Sequence, residues 1–193
     1  MKTRSIVLFL MIMASIKCFS QKSNELRVYY GFVDSELIPL VNMQCGVYSD
    51  ISYSFEFGIK YLREISNRLS IQTGINFLST RVPEISRYTG IPKGSKNMNV
   101  ELISIPIYTN LSLGKHFFIF GGPLIDFHLK DKSFTTQSGI GYTLGIGGKF
   151  SFKNYKIYIT PNYKRHSLIP FKKENFTDKL LQLGIQLGVG YVF

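Results

Sequence analysis

The chain has 193 residues, the length of a single domain, and a formal net charge of +11, which favours anionic partners. Its two cysteines, Cys18 and Cys45, are too few for a disulfide-rich scaffold. No segment approaches the roughly 18 uninterrupted apolar residues of a membrane-spanning helix, so the sequence excludes a helical membrane protein.

The first twenty residues have the pattern of a secretory signal peptide. Lys2 and Arg4 form a basic start, and a short apolar run follows. Cys18 and Ser20 place small residues three and one positions before a cut at Gln21. We therefore predict a signal peptide over 1–20 and one outer-membrane β-barrel domain over 21–193.

Removal of that segment changes the charge and the cysteine count. The loss of Lys2, Arg4 and Lys17 lowers the formal charge from +11 to +8. Cys45 is then the one cysteine left, so no intrachain disulfide can form. Export argues against nucleic acid as the partner of this basic chain and favours the phosphates of lipid headgroups.

Eight segments of the mature chain show the two-residue period of β-strands. The predicted strands span about 25–33, 51–63, 69–79, 99–113, 116–129, 139–152, 155–164 and 181–193. Three short turns and four longer polar segments connect them, in the alternating order long, short, long, short, long, short, long. An even-stranded barrel with both termini in the periplasm has this order of connections.

Within each predicted strand, one face is bulky and apolar and the other is small or polar. The last strand shows this most clearly: its odd positions from Leu181 to Phe193 are all large and apolar, whereas glycine and glutamine fill five of its six even positions. A soluble sheet rarely presents such a face to water, but the narrow interior of a membrane barrel requires it. The predicted fold class is all-β, an eight-stranded antiparallel up-and-down transmembrane β-barrel.

The heights of the outward aromatic residues agree with this interpretation. Near the short turns they are Tyr61, Phe117, Phe152, Tyr155, Tyr191 and Phe193, and near the long loops they are Phe32, Tyr53, Phe77, Phe127, Tyr142 and Tyr163. Two aromatic girdles flanking an aliphatic band are typical of membrane barrels. The rival architecture is a soluble eight-stranded barrel of the lipocalin kind, whose exterior carries abundant charge. Here most charge lies in loops and turns, so the membrane barrel is favoured.

Four segments also resemble a known family. Glu101 to Leu111 (ELISIPIYTNL) and Phe118 to Pro123 (FIFGGP) resemble consecutive strands of the Bacteroidetes outer-membrane barrel family, whose members are called PorT-like or porin-family proteins. The ending from Leu180 to Phe193 resembles its last strand, and 55–80 resembles its second hairpin. The resemblance implies an eight-stranded outer-membrane barrel. It implies little about activity, although a few PorT-like barrels belong to a protein secretion system.

No catalytic, cofactor-binding or metal-binding motif is predicted. Asp126 and His128 share the inward face of strand five, and His166 and Ser167 lie near the outer end of strand seven. A rim hydrolase or acyltransferase could use such residues, but polar residues that satisfy each other and water explain them more simply. The third histidine, His116, lies at the far end of strand five, so the three do not form a metal set.

The remaining expectations concern the lumen and the loops. Eight charged residues are predicted to face inward and to form an ion-pair network: Glu25, Arg27, Glu56, Lys60, Asp126, Lys149, Lys156 and Lys164. Because side chains fill a barrel of this size, we expect no diffusive pore. The extracellular loops are then the expected functional surface. The predicted partners are outer-membrane lipid, with lipopolysaccharide as a candidate, and a protein partner at the loops. The alternatives are transport or a secretion-system accessory role, and a rim-located enzyme.

Overall fold

A computed structural model describes residues 23–38, 54–84, 96–129, 137–171 and 179–193. It contains the strands β1 (Asn24–Ile38), β2 (Ser54–Glu64), β3 (Leu69–Glu84), β4 (Lys96–Leu113), β5 (Phe117–His128), β6 (Gly139–Phe152), β7 (Tyr155–Pro170) and β8 (Lys179–Val192). Each strand pairs antiparallel with the next, and β1 pairs with β8, so the sheet closes into a barrel. The predicted eight-stranded antiparallel up-and-down β-barrel is confirmed.

The two faces of the barrel wall have the inverse of the usual polarity of a soluble protein. Along β2, Ile59 is 53% exposed whereas its neighbour Lys60 is 3% exposed. The same alternation continues in β8, where Ile185 is 50% exposed and Gln186 is 2% exposed. Charged and amide side chains of these strands therefore point into the interior, and their large aliphatic side chains cover the outside.

The outward aromatic positions agree with the predicted ones wherever they are described. Near the short turns Tyr61, Phe117, Phe152, Tyr155, Tyr191 and Phe193 are all exposed. Near the other end, Phe32 and Phe127 are exposed, and Phe77, Tyr142 and Tyr163 are partly exposed. Neighbouring rings contact one another, as between Tyr155 and Tyr191, whose ring centroids lie 5.4 Å apart. Tyr53 lies outside the described residues.

Several strands are longer than predicted at the end away from the short turns. β1 reaches Ile38 instead of 33, β3 reaches Glu84 instead of 79, and β7 reaches Pro170 instead of 164. The sequence prediction was wrong there because it assigned charged and proline-containing segments to loops. In the barrel these segments still have a neighbouring strand to pair with, as Glu36 does with Leu181. The wall thus continues past its apolar band.

The glycines of the inward face make room for aromatic rings in the lumen. A Cβ added at Gly147 of β6 would lie 2.2 Å from the Phe118 ring, whereas one added at the outward Gly148 would meet no atom closer than 4.0 Å. Glycine is therefore required at position 147 by packing and not by backbone conformation. At the turn between β4 and β5 the reason differs, because Gly114 has φ of 80°, in the left-handed region that glycine tolerates.

Some predictions concern residues outside the described part of the chain. These are the signal peptide over 1–20 and the lone Cys45. Within the described residues, no helix has the length and apolar character needed to span a membrane.

Candidate functional site: the barrel lumen

The lumen holds an ion cluster centred on Glu25 near the short turns. The Glu25 carboxylate accepts hydrogen bonds from Arg27 Nε at 3.1 Å, Lys156 Nζ at 3.3 Å and Tyr158 Oη at 2.7 Å. The Arg27 guanidinium lies 3.5 Å from the centroid of the Tyr158 ring and 5.8 Å from that of Phe118. Arg27 is thus held by a carboxylate and by aromatic faces, which are its two preferred kinds of partner.

A second ion cluster, around Glu56, occupies the middle of the lumen. Glu56 is fully buried and pairs with the Lys164 ammonium. Its carboxylate also accepts hydrogen bonds from Asn76 Nδ2 at 3.1 Å and Gln186 Nε2 at 2.7 Å. These side chains come from β2, β3, β7 and β8, so the cluster ties four strands together across the interior. Burial of both ions is tolerated because the remaining lone pairs of the carboxylate are hydrogen-bonded.

Lys60 fills the space beside the Glu56 cluster by packing against aromatic rings. Its ammonium donates a hydrogen bond to Gln186 Oε1 at 2.7 Å. The same nitrogen lies 4.0 Å from the centroid of the Tyr29 ring, with Tyr108 and Phe120 within 6 Å. Cation–π contacts and one shared amide therefore offset part of the cost of burying this charge.

A third polar cluster, around Asp126, lies toward the long connections. Asp126 accepts a hydrogen bond from Ser104 Oγ at 2.6 Å, and its other oxygen lies 2.9 Å from His166 Nδ1. His166 Nε2 lies 2.7 Å from Gln182 Oε1, and Gln182 Nε2 in turn donates to Ser35 Oγ at 3.0 Å. The chain of contacts runs from β4 through β5, β7 and β8 to β1.

This third cluster differs in connectivity from a catalytic triad. In a triad, the carboxylate orients the histidine and the far nitrogen of the histidine contacts a nucleophilic hydroxyl. Here the serine hydroxyl binds the carboxylate, and the far nitrogen of His166 contacts an amide. Both Asp126 and His166 are fully buried.

Ser167 reaches the interior through an irregularity of β7. The pairing between β6 and β7 shifts register between Ile140 and Tyr142, and Ser167 has φ of 48°. As a result, His166 and Ser167 are both buried although they are consecutive. A left-handed backbone conformation at a residue other than glycine is often found at functional sites. Here it accompanies the bulge that turns the Ser167 side chain inward.

The other two histidines lie at the two ends of β5. His128 is half-buried at the end of β5, where its backbone N–H donates to Ser138 Oγ at 2.9 Å. His116 is exposed in the β4–β5 turn, with its ring 5.9 Å from that of Phe150. Among the described residues, no three histidine, cysteine, aspartate or glutamate side chains are placed to hold a metal ion.

An apolar cluster lies in the lumen toward the long connections. Leu78, Val100, Leu102 and Leu180 are buried together there. The lumen thus contains ion clusters near the short turns and in its middle, and packed aliphatic side chains toward the long connections. Through the described strands, side chains fill the interior, as expected for eight strands.

The sequence predicted the charged residues of the lumen but missed four of its aromatic ones. All eight predicted inward charges face the interior, six of them buried and the other two, Lys149 and Lys156, half-buried near the short turns. Phe118, Phe120, Tyr29 and Tyr108 were not predicted as lumen residues, although they alternate with outward neighbours such as Phe117 and Ile119. The alternation along each strand would have placed these four rings inside the barrel. They were missed because the prediction assigned large apolar side chains to the outer face.

Comparison with known proteins gives a structural likeness without a sequence relative. No protein-family model matches the chain, and no curated protein matches it. Among solved structures, the crystal structure of Ail, the attachment invasion locus protein of Yersinia pestis, superposes with a TM-score of 0.51. The match covers 89% of this chain and 99% of Ail at 14% identity. The fold is that of a small outer-membrane β-barrel.

Two further solved structures have lower similarity. The solid-state NMR structure of the outer membrane protein AlkL in DMPC bilayers gives a TM-score of 0.49 at 10% identity, with 88% of this chain and 90% of AlkL covered. The crystal structure of the N-terminal β-barrel domain of Pseudomonas aeruginosa OprF gives a TM-score of 0.44 at 11% identity, with 90% of this chain and 100% of the OprF domain covered. At such identities the likeness concerns the fold, and the function must be argued from the chain's own residues.

Proposed function

We propose that this protein is an integral outer-membrane β-barrel without enzymatic activity, whose lumen is closed and whose extracellular loops bind a partner or organise the envelope. The single observation that carries the proposal is the polarity of the wall, with apolar side chains outside and ion clusters inside. An apolar surface of this size is unfavourable on a monomer in water, whereas it is favourable in contact with the hydrocarbon of a bilayer. The closed sheet also leaves no unpaired backbone edge in lipid.

The packing of the lumen supports the closed state. Arg27 lies against the Tyr158 ring, and the Phe118 ring lies beside this pair. Lys60 lies against Tyr29, so rings and cations cross the interior at two levels. An ion that passed through would have to displace these side chains and break their hydrogen bonds. The proposal therefore assigns binding to the loops and not transport to the lumen.

The sequence resemblance to PorT-like barrels supports a more specific alternative, an accessory role in transport or protein secretion. This alternative keeps the barrel as an anchor and places the interaction in the loops. Purification of the barrel from its native envelope under mild detergent distinguishes the two: a stably associated secretion component favours the accessory role, and lipopolysaccharide alone favours envelope organisation.

The enzymatic alternative depends on His166, His128 and Ser167. The contacts of His166 with Asp126 and Gln182 support a structural role for this histidine instead. Single substitutions of the three residues by alanine should leave the lipid composition of the envelope unchanged. A variant that alters a lipid modification while the barrel still folds would favour the enzyme.

Conductance across a planar bilayer tests the closed lumen. The wild-type protein should give no steady single-channel current. The variant R27A/K60A/F118A, which removes the side chains that cross the interior, should conduct if it retains the barrel, and it serves as the positive control for insertion. A steady single-channel current from the wild type would contradict the proposal.

A further inference from the structure

The three short turns form a basic rim at one end of the barrel. Each turn carries an exposed positive side chain, Arg68 between β2 and β3, Lys115 between β4 and β5, and Lys153 between β6 and β7. The half-buried Lys149 and Lys156 lie just inside this rim. We use "basic rim" for Arg68, Lys115 and Lys153.

Acidic side chains do not offset this charge. The turn segments 65–68, 114–116 and 153–154 contain no acidic residue, and Glu64 is the one acidic residue at a strand end beside them. Glu25 is buried in the lumen and already bonded to Arg27 and Lys156. The field at this end of the barrel is therefore positive toward solvent.

The rim lies directly beside the aromatic girdle at this end. Lys153 follows Phe152 and lies two residues from Tyr155, and Lys115 lies two residues from Phe117. These three aromatic side chains are 78%, 56% and 64% exposed on the outer surface. Aromatic girdles lie at the level of lipid headgroups, and two residues of strand span at most about 7 Å. The ammonium groups of Lys115 and Lys153 are therefore within reach of headgroup phosphates. Arg68 lies at the same end, because its carbonyl accepts a hydrogen bond from Ser112 N at 2.7 Å.

We propose that the basic rim binds the phosphates of anionic glycerophospholipids in the periplasmic leaflet of the membrane. Short turns face the periplasm in barrels of this kind, and that leaflet is the phospholipid one. The site goes beyond the proposed role of the loops, which lie at the opposite end. Its three cations are distributed around the circumference, so the rim would recruit several anionic lipids and hold the barrel at a fixed depth.

The experiment compares how strongly spin-labelled phosphatidylglycerol and phosphatidylcholine associate with the barrel in phosphatidylcholine bilayers. The wild type should prefer phosphatidylglycerol, and the preference should weaken with added salt because exposed charges are screened. In R68Q/K115Q/K153N the preference should disappear, with a loss on the order of fivefold per cation at the sites affected. Asparagine is chosen at 153 because Lys153 has φ of 52°, which asparagine tolerates.

Two control variants separate the rim from net charge and from folding. R68K/K115R/K153R keeps every charge and should keep the preference. R81Q/R165Q/K179Q removes three charges at the opposite end and should also keep it. Equal losses in the two neutralised variants, or a preference that survives R68Q/K115Q/K153N in the folded barrel, would overturn the proposal.

Discussion

Replacing Glu56 by glutamine should lower the free energy of unfolding by about 3–5 kcal/mol. Glu56 is the carboxylate that pairs with buried Lys164, and Lys60 lies in the same part of the lumen. Glutamine has nearly the same shape but no charge, so the variant leaves two buried cations without their anion. Urea unfolding of the barrel from phospholipid vesicles, followed by circular dichroism, measures the change.

A second substitution separates the charge from the loss of packing. In E56Q/K164Q the positive charge of Lys164 is also removed, and the two amides can still hydrogen-bond to Asn76 and Gln186. The double variant should recover at least half of the stability that E56Q loses. Glu36→Gln is the matched control, since Glu36 is exposed, and should change stability by less than about 0.5 kcal/mol. A double variant as unstable as E56Q would show that the cost does not arise from the unpaired charge.

The second large effect is expected on the outer surface. Ile107→Arg places a charge on an outward position of β4, midway between Ile103, which pairs with the girdle residue Phe127, and Leu113, which pairs with Phe117. An arginine at the bilayer midplane costs about 2–4 kcal/mol in membrane barrels. The same unfolding experiment measures this cost.

The control lies on the same strand. Leu113 is also outward and aliphatic, but it ends β4 beside the turn, at the level of the headgroups. Leu113→Arg should therefore cost only about 0–1 kcal/mol. If the two arginines cost the same, the wall does not meet a hydrocarbon layer between its girdles. In a soluble barrel both substitutions would be mild, because each side chain would already face water.

The strand number, strand order and the two faces could be predicted because each depends on local alternation. A period of two assigns every residue of a strand to one face, and the alternation of short and long connections sets the order of the strands. The outer strand ends could not be predicted, since β-pairing there depends on the neighbouring strand. Pro170 would end an isolated strand, yet it is opposite Gly139 in the closed wall.

The composition of the lumen could be predicted, but its pairing could not. Parity alone placed Glu56 and Lys164 inside, although 108 residues separate them along the chain. Which cation reaches which carboxylate depends on the stagger of the strands around the barrel. The burial of Ser167 directly after His166 depends in addition on the bulge of β7, which no local pattern indicates.

The surroundings of the outward face of β8 decide whether the barrel wall lies in lipid. Nitroxide labels are introduced singly through cysteine at Leu183, Ile185, Leu187 and Val189, with Cys18 and Cys45 replaced by serine. They report collisions with oxygen and with a water-soluble nickel chelate in a bilayer. Collisions with oxygen should dominate at all four positions and most strongly in the middle of the series, because oxygen concentrates in hydrocarbon. Collisions dominated by the nickel chelate at Ile185 and Leu187 would contradict the location of the wall in lipid.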